Sequence, residues 1–314
     1  VRETGRTYFE RNEANPLEED LIIVDEASML DISLFYHLLC ALKDGARLIL
    51  VGDIDQLPPV GAGEPLKDLM SWGYVPIVRL KRIFRQEEGS GIVENAALIR
   101  KGEMCVPDEA GEFRIVCAAD DEDAYRIVMD LCRELNYGNE ENKMLLQVLS
   151  PMYRGVCGVD HLNESLQEMI HGEKVPDGMK FFPGDKVMQT RNDYEKGIYN
   201  GDVGTVWTAT PQKVFVRYFD KEVVYEGEER FDLRLAYAVT VHKSQGSEYE
   251  TVIFILRPSQ HNMLQRNLLY TGVTRARKNT ILVTAPDALR RALAIQHTGN
   301  RYSLFLPFLN HEAL

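Results

Sequence analysis

Two short stretches of the sequence combine residue types and spacing suited to phosphoryl chemistry. The first, LIIVDEAS (Leu21–Ser28), is an apolar run that ends in Asp25 and Glu26. A buried strand ending in paired carboxylates presents them at the C-terminal edge of a sheet, where open α/β sheets bind ligands. At such an edge an aspartate helps to hold Mg2+ and a glutamate polarises an attacking water. The same two residues would also serve as an acidic cap on the next helix, favourable with its N-terminal dipole. The second stretch, Gly52-Asp53-Ile54-Asp55-Gln56-Leu57-Pro58-Pro59-Val60, follows the next apolar run and tips the balance toward the ligand reading. Gly52 permits a sharp exit from the strand, and the prolines stiffen the loop. The Gln56 amide donates and accepts at once, which suits sensing a γ-phosphate and its water.

These residues need a parallel sheet to position them. LIIV (Leu21–Val24) and RLILV (Arg47–Val51) are continuous apolar runs of the kind buried on both faces of such a sheet. Between them Leu34, Leu38, Leu39 and Leu42 fall on one helical face, so the unit reads β-α-β. Helical patterns over Ile92–Arg100, Ala124–Leu135 and Val159–Ile170 continue the alternation, with strand-like runs at Phe113–Val116 and Leu145–Leu149. From Pro183 to about Phe231 the character changes. Pro-Gly-Asp, Asn200-Gly201-Asp202 and the alternating run KVFVRYF (Lys213–Phe219) predict a small all-β module. The α/β rhythm then resumes with RLAYAVTV, TVIFIL, a helix through Leu268–Thr274 and the strand TILVTA, so the module reads as an insertion. The first twenty residues are polar, with a turn near Thr4-Gly5-Arg6 that reads as the remnant of a hairpin.

The length of 314 residues fits about two domains. With 45% hydrophobic and 27% charged residues the composition is that of a globular protein, not a disordered or fibrous one. A net charge of −12 argues against a basic coat, though not against a local basic groove on an acidic body. No apolar run reaches the roughly 18 residues of a membrane span, and no signal peptide opens the chain. Cys40, Cys105, Cys117, Cys132 and Cys157 are scattered and never spaced CxxC, so a cytoplasmic setting is expected.

The paired motifs resemble those of superfamily 1 helicases, and four further stretches match that family in order. LKRIFRQ (Leu80–Gln86) is similar to the fourth motif, which implies that Arg85 reaches the γ-phosphate. GDKVMQTRNDYEKGIYNGDVGTV (Gly184–Val206) resembles the opening of an inserted SH3-like barrel. AYAVTVHKSQGSEY (Ala236–Tyr249) resembles the fifth motif, which implies Thr240, His242 and Ser244 near the DNA backbone and Glu248 near the ribose. LLYTGVTRARK (Leu268–Lys278) resembles the sixth, whose second γ-phosphate arginine is then Arg275. QLPPV followed by HKSQG is the wording of 5′→3′ members, and the combination with DEASM is most similar to RecD-like helicases of the exodeoxyribonuclease V α-subunit type, with Pif1-like proteins the nearest competitors. The resemblance spans about residues 7–285. It implies two RecA-like P-loop NTPase lobes, the first incomplete, with an SH3-like β insert. On this reading residues 1–20 are a hairpin or linker, 21–80 the partial first lobe, 81–180 the start of the second, 181–232 the insert and 233–314 the rest of the second lobe.

The implied function is an ATP- and Mg2+-dependent 5′→3′ DNA helicase of repair and recombination. It would act on single-stranded DNA and duplex junctions, in company with nuclease and helicase subunits of an exodeoxyribonuclease V-type complex. Asp25 would hold the Mg2+, Glu26 would activate water, and Gln56, Arg85 and Arg275 would meet the phosphates. The competing class is a non-catalytic nucleic-acid-binding or assembly module. One departure matters. The family's first motif, GxxxxGK[ST], is absent, and no Gly-Lys dipeptide occurs in the chain, which opens at Val1 rather than Met. The expectation is therefore a C-terminal part of the motor, inactive by itself. Other features take plainer readings: His37 as a helix residue, Trp72 and Trp207 as core, and Lys81-Arg82 as a solvated face. Pro107-Asp108 with Glu141-Asn142-Lys143 echoes a nuclease pattern too loosely to carry that activity.

Overall fold

The computed structural model describes residues 2–3, 6–7, 9–80, 89–176, 178–296 and 305–310. The chain divides into two compact units, residues 1–82 with 297–314, and residues 83–296.

The first unit opens with a short antiparallel hairpin of β1 (Arg2–Glu3) and β2 (Arg6–Thr7). Then come β3 (Leu21–Val24), α1 (Ile32–Cys40), β4 (Arg47–Leu50) and α2 (Pro65–Trp72). Strands β3 and β4 pair in parallel, with Leu21 opposite Arg47 and Val24 opposite Leu50. Their expected burial on both faces is corrected. Leu21, Ile23 and Ile49 are exposed, because among the described residues these two strands form a sheet of their own with one open face. Helix α1 starts at Asp31, whose carboxylate accepts the Leu34 amide at 2.8 Å. Its buried face centres on Phe35, with Leu38 and Leu42 half-buried beside it, an i, i+3, i+7 stripe. Leu34 and Leu39, expected inside, lie on the exposed flank.

The second unit begins with α3 (Gly91–Lys101), β5 (Phe113–Cys117), α4 (Asp121–Glu134), α5 (Glu140–Leu145), β6 (Leu146–Ser150) and α6 (Val159–His171). The insertion follows as β7 (Lys186–Gln189), β8 (Val203–Ala209), β9 (Lys213–Arg217), β10 (Glu222–Glu226) and β11 (Leu233–Leu235). The chain then returns through β12 (Ala238–Thr240), β13 (Tyr249–Leu256), α7 (Arg266–Val273), β14 (Ala276–Thr284) and α8 (Pro286–Ala294). The main sheet has the order β12-β6-β13-β14-β5 and every pairing is parallel. Here the apolar runs are buried as expected: all of β6 and the last five residues of β13 and β14 lie inside. The insertion is an antiparallel sheet ordered β10-β9-β8-β7-β11 around Val187, Val206, Val216, Tyr225 and Leu233. It ends at Leu235 rather than Asp232, since LRL supplies a fifth strand against β7. The last helix, α9 (Phe305–Leu309), packs in the first unit against α2, with the Phe305 ring 5.8 Å from Phe35. That placement corrects the assignment of the whole C-terminal stretch to the second lobe.

The insertion is pinned to the sheet by consecutive buried charges. Asp185 is fully buried and accepts from Gln167 Nε2 (2.5 Å), His171 Nε2 (2.8 Å), the Phe182 amide (2.7 Å) and the Tyr237 hydroxyl (2.9 Å). Lys186, also fully buried, donates to the Leu146 carbonyl (3.1 Å) and Gln147 Oε1 (2.9 Å) and faces the rings of Tyr137 and Tyr249. Burial, with Lys143 nearby, pulls the Lys186 ammonium down to about 7 from an ordinary 10.5. Between those values the unfolded chain binds the extra proton, so this lysine's contribution to stability rises with pH. Urea unfolding from about pH 7 to pH 9.5 should therefore show the native protein gaining stability relative to Lys186→Met. Parallel pH profiles for the two proteins would contradict the depressed ammonium.

Candidate nucleotide corner and nucleic-acid groove

In the first unit the two phosphoryl motifs meet at the C-terminal ends of β3 and β4. Asp25 is exposed and its Oδ1 accepts the Glu26 amide at 2.8 Å. Glu26 has φ 51° and ψ 35°, the left-handed region that a non-glycine residue occupies at a cost. That turn drops Ala27 into the interior, where its amide donates to the Val51 carbonyl at 2.8 Å. Gly52 then passes close: a Cβ there would stand 2.8 Å from the Ser28 amide nitrogen and 2.9 Å from Leu66. Gly52 is thus required by close approach of the two motifs, not by an unusual exit from the strand. Gln56 is half-buried behind Asp53, whose carbonyl accepts its amide at 3.2 Å. Gln56 and Ser28 line one recess, and the Ser28 hydroxyl is buried in it without a hydrogen-bond partner. Asp25, Glu26 and Gln56 therefore lie in the segments that follow two adjacent parallel strands of one unit.

Two arginines are expected at the phosphates. Arg85 lies outside the described residues. Arg275 belongs to the second unit, where only 3% of it is exposed. Its Nε and Nη1 donate to the carbonyls of Thr271 and Ser247, each at 3.2 Å, so it is tied down between the end of α7 and the loop before β13. Glu248 is paired with Arg277 at 2.6 Å on an outer edge of that unit.

The fifth-motif residues lie at the bend that follows β12. Thr240 and Ser244 are buried, and their hydroxyls serve the turn itself: Thr240 Oγ1 accepts the Lys243 amide at 3.2 Å, and Ser244 Oγ donates to Val241 at 2.8 Å. Both side chains cap the bend from β12 into the His242–Ser244 3-10 turn and face away from solvent. His242 is half-buried, and burial holds its imidazole below the ordinary range. The cation that the turn presents is Lys243, which donates to Asn200 at 2.5 Å across to the insertion.

Lys243 opens onto a groove of about 980 Å³ between the parallel-sheet body and the insertion. Arg154, Arg191 and Arg234 line it with the rings of Tyr153 and Phe231, and Asp160, Glu228, Glu229 and Asp232 line it too. These residues were not legible as a site, because they come from four separate segments. One local signal did exist, a Gly-bounded loop between strand and helix, Pro151–Gly158. A Cβ on Gly158 would lie 2.4 Å from the Tyr153 carbonyl oxygen, so the glycine lets the loop fold tightly on the start of α6. That carbonyl accepts the Asp160 amide at 3.0 Å and holds Tyr153 and Arg154 at the groove wall. On the far wall the Thr190 amide and hydroxyl both donate to the Asp232 carbonyl, at 2.8 and 2.9 Å.

The plainer readings resolve differently. Trp207 is exposed rather than core, with Phe215 edge-on at 5.5 Å. Trp72 is half-buried beside Tyr74, and the His37 ring lies 4.3 Å from Phe9. Asp108 accepts the amides of Glu112 and Phe113, and the buried Lys143 bonds Glu140 and the Gly184 carbonyl; both are structural ties. Among the described residues no helix is long and apolar enough to cross a membrane.

Three family models match in chain order: an AAA domain over residues 4–114, the SH3 domain of ATP-dependent RecD-like DNA helicases over 162–218, and the UvrD-like helicase C-terminal domain over 235–283. The chain is 37% identical to the ATP-dependent RecD2 DNA helicase of Deinococcus radiodurans, over 96% of this chain and 41% of that protein. It is 33% identical to the RecBCD enzyme subunit RecD of Mycolicibacterium smegmatis, over 94% of this chain and 56% of that subunit. It thus spans about half the length of the curated relatives it matches. In fold it is similar to the Pif1 helicase from Bacteroides solved with ADP-AlF3 and ssDNA, with a TM-score of 0.58 at 20% identity over 98% of this chain and 78% of that one. Pif1 helicase from Candida albicans gives 0.56 at 19% identity, over 93% and 77% of the two chains. The parallel sheet of the second unit is the sheet of a RecA-like lobe, the antiparallel insertion is its SH3-like domain, and the chain belongs to the RecD-like helicases of superfamily 1.

Proposed function

We propose that this chain forms part of an ATP-driven DNA motor that moves 5′→3′ along single-stranded DNA and opens duplex junctions. The observation that carries this reading is the groove of the second unit. It sets Arg154, Arg191, Arg234 and Lys243 beside the rings of Tyr153 and Phe231. Cations that follow a phosphate backbone, with rings on which bases stack, are the two elements of sequence-tolerant single-strand binding. The wording of the motifs supports the direction of travel. The Mycolicibacterium relative's name as a RecBCD subunit supports nuclease and helicase subunits as partners.

The nucleotide corner fits Mg-ATP. Mg2+ takes one or two carboxylates and fills its shell with phosphate oxygens and water, and Asp25 supplies one exposed carboxylate at the sheet edge. The unpartnered Ser28 hydroxyl beside Gln56 adds a polar atom still to be satisfied. When bound, the metal neutralises charge on the phosphate oxygens. Glu26 would orient and deprotonate the attacking water, Gln56 would contact that water and the terminal phosphate, and Arg85 and Arg275 would stabilise charge on the transferring group. Residues 1–314 contain no Gly-Lys dipeptide to cradle the phosphates, so turnover is assigned to a protein that joins a phosphate loop to them.

In such a protein Arg275→Ala should lower ATP hydrolysis by roughly 10³ and weaken nucleotide binding far less, as for an arginine finger. Near-normal turnover would remove Arg275 from the reaction. At Glu26, both Glu26→Gly and Glu26→Ala should lose hydrolysis. The glycine variant should be the more stable by about 1 kcal/mol in urea unfolding, since only it escapes the left-handed strain. Equal stabilities would show that the backbone there is unstrained. In the groove, Arg154→Ala should weaken binding of an oligothymidylate and make its salt dependence shallower by about 0.7 in log–log slope, the contribution of one phosphate. Unchanged affinity and slope would take Arg154 off the strand's path.

A further inference from the structure

Four carboxylates line the strand-binding groove, Asp160, Glu228, Glu229 and Asp232; Glu229 is held by Lys196 at 2.6 Å, and Asp160 and Asp232 face groove arginines. Arg191 Nε lies 3.5 Å from Asp232 Oδ1, and Arg234 Nη1 lies 3.6 Å from Asp160 Oδ1. We propose that Asp232 and Asp160 are built-in counterions that hold these two arginines when the groove is empty and surrender them to backbone phosphates. This deepens the reading of the groove as a single-strand track and rests on it.

The geometry supports exchange rather than permanent pairing. Both contacts are long, and the two arginine side chains are 79% and 60% exposed. Exposed pairs of this kind contribute little and rearrange readily. On the outer face of the insertion, by contrast, Arg217 grips Glu222 through both Nε and Nη2, at 2.9 and 2.8 Å. The anions are the fixed partners. The Asp232 backbone is held by two bonds from Thr190, and Asp160 sits in the first turn of α6 with its amide on the Tyr153 carbonyl. The cations are the mobile ones, each at the end of a long side chain. Arg234 also stands over the Tyr153 ring, 5.7 Å from its centroid, and that contact can guide the guanidinium as its partner changes.

Two consequences follow for a motor. A phosphate that displaces a carboxylate leaves a fixed negative charge close by, so binding is weaker than the number of cations implies. When the phosphate moves on, the carboxylate recaptures the arginine, which shortens the residence of each nucleotide. Binding also releases fewer salt ions, because an internal anion rather than a solution anion leaves the arginine.

The test uses the purified protein and a fluorescein-labelled oligothymidylate of about 12 nucleotides, titrated by anisotropy between roughly 50 and 200 mM salt. The double variant Asp160→Asn/Asp232→Asn should bind about 3- to 10-fold more tightly at the low-salt end, with a slope steeper by about 1.4, or 0.7 for each unmasked arginine. Asp160→Glu, which keeps the charge, should retain native affinity and slope. Arg191→Ala should abolish the gain that Asp232→Asn produces, which assigns the effect to that pair. Unchanged or weaker binding by the double variant, with the native protein still binding, would overturn the counterion role and leave the single-strand track intact. No binding by the native protein would instead overturn the track, and the counterion proposal with it.

Discussion

Two ionisable side chains buried on consecutive residues, Asp185 and Lys186, constrain everything the second unit presents to its surroundings. A carboxylate taken out of water is costly unless its oxygens are met. Asp185 is met from four directions: two side chains of α6, the Tyr237 hydroxyl ahead of β12, and the Phe182 amide. Lys186 turns the other way, into the sheet, and closes on the Leu146 carbonyl at the start of β6. The insertion therefore has a single seating in which all these groups are satisfied. Any tilt would strand a charge in the interior. The groove inherits its width from this seating, since Tyr153, Arg154 and Asp160 come from the body while Arg191, Asp232 and Arg234 come from the insertion.

Most of the architecture was legible because the central strands are apolar on both faces. LQVLS, TVIFIL and TILVTA admit no other reading once they alternate with helical patterns, and turn residues at short spacing marked the all-β module. The exceptions share a cause. The exposed face of β3 and β4 and the fifth strand LRL depend on which neighbours a strand has, and a strand's own residues do not encode that. The return of Phe305–Leu309 to the first unit is a contact across most of the chain, carried by a single short apolar segment.

The candidate site was legible in chemical type more than in orientation. Asp25, Glu26 and Gln56 stand out in the sequence because the ends of parallel strands are where such chemistry gathers, and the structure puts them just beyond β3 and β4. For the TVHKS segment the residue types pointed to a polar surface, but the bend needs hydroxyls to satisfy its own backbone, so Thr240 and Ser244 turn inward and Lys243 faces out. The groove arginines are not legible as a site because each is an ordinary surface residue in sequence. Only the folding of a glycine-bounded loop against a distant β-turn makes them neighbours.

The C-terminal helix of the first unit also sets an order of events during synthesis. Phe305 and its neighbours are made after the whole of residues 83–296, yet they cover a unit whose other described elements precede that stretch. At about 5–20 residues per second, residues 83–296 take on the order of 10–40 s to be made, and for that interval α2 and Phe35 wait without their final cover. The second unit, contiguous in sequence, meets no such delay. Within residues 1–314 the second unit is therefore complete before the first, and the surface around Phe35 waits for its cover while residues 83–296 are made.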